Sequence, residues 1–334
     1  MRSLLLFVVA GVGLGQSWVP QQSGTTVSLR GISAVSPMVA WASGAKGTYL
    51  LTVDGGANWK AGIVTGAADM DFRGVYALSE TTAYLLSSGK GPASRIYLTT
   101  DAGKTWRLLL INPEPKGFWD AIAMWDPDHG IVVGDPVNGR FSILTTQNGL
   151  DWIASKGPQA QSQEGAFAAG NTCLFARGTR EAWFGTGGPG GARVFYTDDS
   201  AKTWSVSKTP LRNDSANAGI FSLAFSSSRI GIAAGGDFTM PAETKGNLAV
   251  TDDGGKTWTL SSKPPSGYRS AAAHFVDGKV WIVTGTSGSD ASTDSGKTWK
   301  QFDTTSYNAM SFTETAGWAV GPNGAIAKFK QANR

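Results

Sequence analysis

Apolar residues along this chain fall in short runs broken by Gly, Ser and Pro, the spelling of brief β-strands joined by tight turns. One stretch shows the order clearly. Ile220 to Phe225 (IFSLAF) predicts a first strand, Gly231 to Gly235 (GIAAG) a second, Asn247 to Thr251 (NLAVT) a third, and Trp258 to Ser261 opens a fourth. Equivalent first strands are expected at Leu29–Val35, Phe72–Leu78, Trp119–Met124, Ala168–Leu174, Arg269–Phe275 and Asn308–Phe312. They are rich in Ala, Gly and Ser, which suits a crowded axis. Second strands carry an aromatic (Trp41, Tyr84, Trp183, Trp281, Trp318), expected to pack between neighbouring units.

Between third and fourth strands an octapeptide recurs. Thr251 to Trp258 reads TDDGGKTW, Ser292 to Trp299 STDSGKTW, Thr99 to Trp106 TTDAGKTW and Thr52 to Trp59 TVDGGANW. Weaker copies are Thr197 to Trp204, where Ala201 replaces the Gly, and Thr145 to Trp152, where Gln147 replaces the Asp. Trp-to-Trp spacings of 47, 46, 52, 54 and 41 residues define a repeat architecture. The Asp side chain accepts backbone N–H bonds just ahead, the Gly allows positive φ, and the Trp buries a large ring in the next strand. Asp54, Asp101, Asp199, Asp253 and Asp294 are thus read as structural, because the spacing lacks a calcium loop's ligand set.

Six copies close six units, and first, second and third strands of a seventh follow at Asn308–Phe312, Gly317–Gly321 and Ala325–Phe329. The chain reaches Arg334 where the seventh octapeptide should begin. Ser17-Trp18-Val19-Pro20 resembles an octapeptide ending, and Trp18 lies 41 residues before Trp59. The expectation is an all-β, seven-bladed propeller of four-stranded antiparallel blades, the last closed by the N-terminal strand. Closure removes an exposed sheet edge. Trp18, Trp59, Trp106, Trp152, Trp204, Trp258 and Trp299 then share one role.

The octapeptide resembles the Asp-box, or BNR repeat, found in sialidases, other secreted glycosidases and non-enzymatic propellers. The resemblance covers the chain after its first residues and is specific for fold rather than activity. Ala316 to Gly324 (AGWAVGPNG) is similar to blades of the photosystem II assembly/stability factor family, which implies a protein-binding or assembly role at a disc face.

Composition narrows the picture. Met1-Arg2-Ser3 followed by apolar Leu4 to Leu14 and the Gly13/Gly15 pair reads as a signal peptide over 1–15, leaving one domain over 16–334 and a secreted or periplasmic location. No later segment suits a bilayer span. A net charge of +4 with scattered basic residues argues against nucleic acid. Cys173 is the only cysteine, read as a buried thiol; with His129 and His274 alone beside it, no metal site or cofactor is expected. The expected partner is a protein or an extracellular glycan, and the expected state a monomer.

Chemistry should gather on the face opposite the boxes, where first strands begin and second strands lead into third. Candidates there are Arg30, Arg73, Arg95, Asp120, Asp135, Glu164, Arg193, Asp237, Arg269 and Asp290. They suggest a ligand pocket at the axis, or ion pairs that hold blades together. Sialidases use this face, and that resemblance implies an arginine triad, a Tyr–Glu nucleophile and an Asp acid/base. Arg30, Arg73 and Arg269, with Tyr268 adjacent, have the residue types, yet Arg95-Ile96-Tyr97 lacks the family's Arg-Ile-Pro spelling. A glycosidase would otherwise need two carboxylates at a suitable separation. The leading expectation is a binding or assembly module, and the alternative a glycoside hydrolase.

Overall fold

A computed structural model describes residues 15–276 and 279–331. The first fourteen residues, with most of the expected signal peptide, lie outside the described residues. Seven four-stranded antiparallel sheets form a closed propeller. Blade 1 runs Leu29–Ala34, Ala40–Gly44, Thr48–Thr52, Lys60–Ile63, and blade 5 runs Ala218–Phe225, Gly231–Asp237, Leu248–Thr251, Thr259–Leu260. Blades 2, 3, 4 and 6 begin with Phe72–Ala77, Trp119–Met124, Leu174–Arg177 and Ala271–Phe275.

Blade 7 combines Ala309–Phe312, Gly317–Val320 and Ile326–Lys330 with the N-terminal Ser17–Pro20, which pairs antiparallel with Trp18 opposite Phe329. The Trp18 ring is buried among Tyr307, Phe312 and Phe329, and its Nε1–H donates to Ser289 Oγ of blade 6 at 2.9 Å. Burying one ring of this size contributes a few kcal/mol, about 3–5 by the cost of its truncation to Ala. The closing strand is therefore anchored in two blades.

The boxes are locked turns. In the first, Thr52 Oγ1 donates to Asp54 Oδ1 at 2.8 Å, Gly56 N–H to Thr52 Oγ1 at 2.9 Å, and Asn58 N–H to Asp54 Oδ1 at 2.9 Å. Asp101, Asp199, Asp253 and Asp294 repeat the pattern. The third copy departs from the sequence reading. Thr146 pairs with Gly130 as Thr52 pairs with Ala40, so the turn is one residue shorter. Asn148, not Gln147, takes the Asp role: its Oδ1 accepts from the N–H groups of Leu150 and Asp151.

Second-strand aromatics bridge blades. Trp41 Nε1–H reaches Ser79 O of blade 2, Tyr84 Oη–H reaches Gly149 O of blade 3, and Trp183 Nε1–H reaches Gly254 O of blade 5. Trp281 differs. It sits opposite Ser292, the position Ala40 holds opposite Thr52, one residue out of step. A one-residue offset turns a side chain to the other sheet face, so Trp281 packs back on Ile232 and Ala234 of blade 5.

The largest correction concerns blade 4. Its first strand was expected at Ala168–Leu174 and is found at Leu174–Arg177. The preceding residues leave the sheet and cross the axis. Asn171, at φ 73°, accepts from Ile122 N–H at 2.8 Å and donates to Ile122 O at 2.9 Å in blade 3, while Thr172 O accepts from Leu223 N–H of blade 5. Gly170 lies so close to blade 7 that a Cβ there would stand 3.0 Å from Asn308 O. The axial channel is thus plugged.

Candidate functional site

The same backbone irregularity recurs on the face opposite the boxes. The first-strand register shifts by one residue between Leu29 and Gly31, Phe72 and Gly74, Trp119 and Ala121, and Ile220 and Ser222. The extra residues are Arg30, Arg73, Asp120 and Phe221. A bulge leaves one residue unpaired and re-aims its side chain. Here four bulges aim at the axis. Small residues follow because blades meet there: a Cβ on Gly31 would lie 2.7 Å from Ser43 Oγ and 2.9 Å from Arg73 O.

Three of the four, Arg30, Arg73 and Phe221, line with the plug a cavity of about 420 Å³ at the mouth of the axis, and Asp120 stays behind its wall. Arg30 and Arg73 line one side. Phe167, Phe221, Phe238 and Tyr268 line the other, and Ala168 and Ala169 of the plug lie between. Phe167 and Phe221 stack at 3.9 Å and 12°, and Tyr268 meets Phe221 edge-on at 4.8 Å. Ser270, Thr286 and Asn308 complete the lining, so aromatic walls stand beside convergent polar groups, a common make-up of a ligand pocket.

The two arginines are unequal. Arg73 Nε–H donates to Asp71 at 2.8 Å, and its Nη1 reaches Ala168 O at 3.4 Å. Arg30 has no ion pair among the described residues, and its buried Nε–H has no hydrogen-bond partner. Burial, then the neighbouring Arg73 charge, pulls the Arg30 pKa down. Two cations side by side without a second anion disfavour each other, and a bound anion would relieve both. Asp120 does not supply it. It is 1% exposed, and burial reinforced by Asp135 holds its carboxyl well above the usual carboxylate range, against the pull of Arg73. The cavity lining itself carries the two arginines and no carboxylate.

The other candidates have separate places. Arg269, fully buried, is ion-paired with Asp290 and donates to Ser287 Oγ at 2.8 Å. It therefore does not join Arg30 and Arg73, and among the described residues no arginine triad faces the cavity. Arg193 is paired with Glu164, which also accepts from Thr186 Oγ1 at 2.6 Å. Asp237 accepts from Ser215 Oγ at 2.7 Å and Thr239 Oγ1 at 2.6 Å, fixing the loop that follows it. Arg95 donates to Pro92 O at 2.8 Å, within its own blade. Asp135 sits at another bulge, accepts from Ala166 N–H at 2.9 Å, and lines an adjoining depression with Glu164 and Phe167. Burial raises its pKa. Among the described residues no group of three or more His, Cys, Asp or Glu side chains is arranged to hold a metal.

Sequence reasoning missed the aromatic wall. Phe167, Phe221 and Phe238 read as ordinary strand or loop apolars, though Arg30-Gly31 and Arg73-Gly74 at matching first-strand positions were a usable cue for the bulges. Cys173 is buried, as expected, with its thiol pushed up by burial.

Residues 249–260 match the family described as BNR/Asp-box repeat. No curated protein matches the chain. Among solved structures, "YCF48 bound to D1 peptide" superposes with a TM-score of 0.66 at 16% identity, covering 93% of this chain and 94% of that one. YCF48 from Cyanidioschyzon merolae gives 0.62 at 18%, covering 94% and 98%. At such identity the likeness speaks for the fold. With box turns at six of its seven corners and the N-terminal strand completing the seventh blade, the chain is a seven-bladed β-propeller of BNR/Asp-box repeats.

Proposed function

We propose that this protein is a binding or assembly module that holds a protein partner on the face opposite the boxes, with an anionic group of that partner seated in the axial cavity. The observation that carries the reading is Arg30. Its guanidinium makes no ion pair among the described residues and leaves its buried Nε–H unpartnered, beside Arg73, in a cavity walled by aromatics. Arginine pairs matched to a carboxylate give short charge-assisted bonds. A structural neighbour of the same fold was solved with a bound peptide, which supports a protein ligand. We further propose that the protein acts outside the cytosol, on the strength of its apolar N-terminal run.

The hydrolase reading has less support. Asp120 is sealed from the cavity, and a general acid must reach its substrate. Affinity capture from the producing cells separates the readings. The Arg30→Glu/Arg73→Glu protein should lose the partner, while Lys256→Glu on the box face should keep it. Retention in the double variant, or glycan hydrolysis abolished by Asp135→Asn, would overturn the proposal.

A further inference from the structure

The loop from Asp237 to Asn247 forms a lip on the axial cavity. Phe238 is 46% exposed and Met240 44% exposed. The other exposed large apolar side chains lie on outer strands or box-face turns: Ile63, Leu108 and Ile153 on the former, for example, and Met38, Leu150 and Ile230 on the latter. Phe238 and Met240 are thus the exposed large apolar pair of the cavity face among the described residues.

The lip is held in place rather than loose. Asp237 accepts from Thr239 N–H at 2.9 Å, Met240 N–H donates to Asp237 O at 3.0 Å, and Pro241 O accepts from Tyr268 N–H at 3.0 Å and Ser287 Oγ–H at 2.9 Å. The Phe238 ring meets Phe221 of the cavity wall at 6.2 Å and 79°. An apolar surface is therefore continuous from beside Arg30 and Arg73 out to solvent. An exposed aromatic beside an adaptable Met is a common anchor surface.

Resting on the reading above, we propose that the partner segment is amphiphilic: a carboxylate enters between Arg30 and Arg73, and a large apolar side chain next to it packs on Phe238 and Met240. The carboxylate belongs either to a chain end or to an Asp or Glu side chain. A protein segment fits better than an anionic membrane, because acidic lipid surfaces are held by clusters of about four to eight Lys or Arg, and this cavity presents two arginines beside aromatic walls.

Fluorescence anisotropy with labelled hexapeptides tests this. One pair ends in a free carboxylate, with Phe or Ser as the neighbouring residue. A second pair is amidated and places an internal Glu beside Phe or Ser. The wild type should bind the Phe member of at least one pair about tenfold more tightly than its Ser counterpart, as burial of one apolar side chain allows. Whichever pair shows the gap identifies the carboxylate's source. In Phe238→Ser/Met240→Ser the gap should close to within about twofold, while Arg30→Ala should weaken both members of the pair. Equal binding of Phe and Ser peptides by the wild type, or a gap unchanged in the lip variant, overturns the proposal while leaving the pocket intact. Stronger sedimentation with phosphatidylglycerol vesicles than binding to any peptide also overturns it. Peptide binding indifferent to Arg30→Ala, or absent altogether, removes the pocket reading as well.

Discussion

The two rims of the disc handle charge in opposite ways. On the box rim each Asp bonds to residues two to four positions away, so a turn satisfies its own carboxylate. On the cavity rim the half-exposed Arg73 also pairs locally, with Asp71, but the buried arginines find partners well away along the chain. Arg269 finds Asp290 and Arg193 finds Glu164 across loops, whereas Arg30 makes no ion pair among the described residues. A residue on the first rim can be replaced wherever neighbouring turns carry the load, as Ala201 and Asn148 show. On the second rim the buried pairs are costly to break, whereas removing the open charge costs the fold little. That split marks where recognition belongs.

The contrast breaks most sharply if the ring opens. Deleting Gln16 to Ser23 removes the fourth strand of blade 7 and the buried Trp18; loss of that ring alone is worth about 3–5 kcal/mol. Thermal melting and solubility should both fall, and an unchanged melting temperature would count against closure. Next is the buried pair. Arg269→Ala strands Asp290 without its cation and should cost about 3–5 kcal/mol in urea unfolding. A cost under about 1 kcal/mol would mean that the pair is dispensable.

The plug comes third. Asn171→Ala leaves the backbone groups of Ile122 without side-chain partners and should destabilise by about 1–3 kcal/mol. It should also weaken any ligand of the cavity it floors. Loss of binding without loss of stability would separate those two roles.

The box carboxylates give a pH signature. Asp54 is held at about 2, below its ordinary 3.8, chiefly by the Asn58 backbone N–H, then by the Asn58 side chain and Thr52. Asp101 is held at about 2 by the Thr105 hydroxyl, then the Thr105 N–H. A carboxylate depressed in the folded state stabilises above its unfolded pKa, and this contribution disappears as pH falls through the folded value. The melting temperature should therefore decline from about pH 4 toward pH 2, and Asp54→Asn should shallow that slope. A slope unaltered by the substitution would place acid sensitivity elsewhere. Smallest is Arg30→Ala: with no partner to strand, its stability change should stay within about 0.5 kcal/mol. A larger loss would recast Arg30 as structural.

Legibility in the sequence followed the same division. Box turns are built from neighbours, so eight letters show the turn, its Trp and the blade count, and Trp18 at the normal spacing showed the closure. The opposing faces followed from strand alternation. Pairing on the cavity rim spans 21 residues for Arg269 with Asp290 and 29 for Arg193 with Glu164, so composition could not say which arginine stayed open. Ala168 to Leu174 misled because it is apolar like a first strand. Gly170, which lets the chain pass close to blade 7, and Asn171, which accepts positive φ, were the local signs that it crosses the axis. The Gln147 misreading had the same root, since a one-residue deletion is invisible until the strand register fixes Thr146.

Placing a photo-crosslinking amino acid at Met240 or at Leu150, one on each rim and both exposed, tests the central claim most directly. In the producing cells the protein with the crosslinker at 240 should give a discrete protein adduct that disappears when Arg30→Glu is added, and the protein with it at 150 should give none. An adduct from position 150 alone, or one from position 240 that persists with Arg30→Glu, would contradict recognition through the axial cavity.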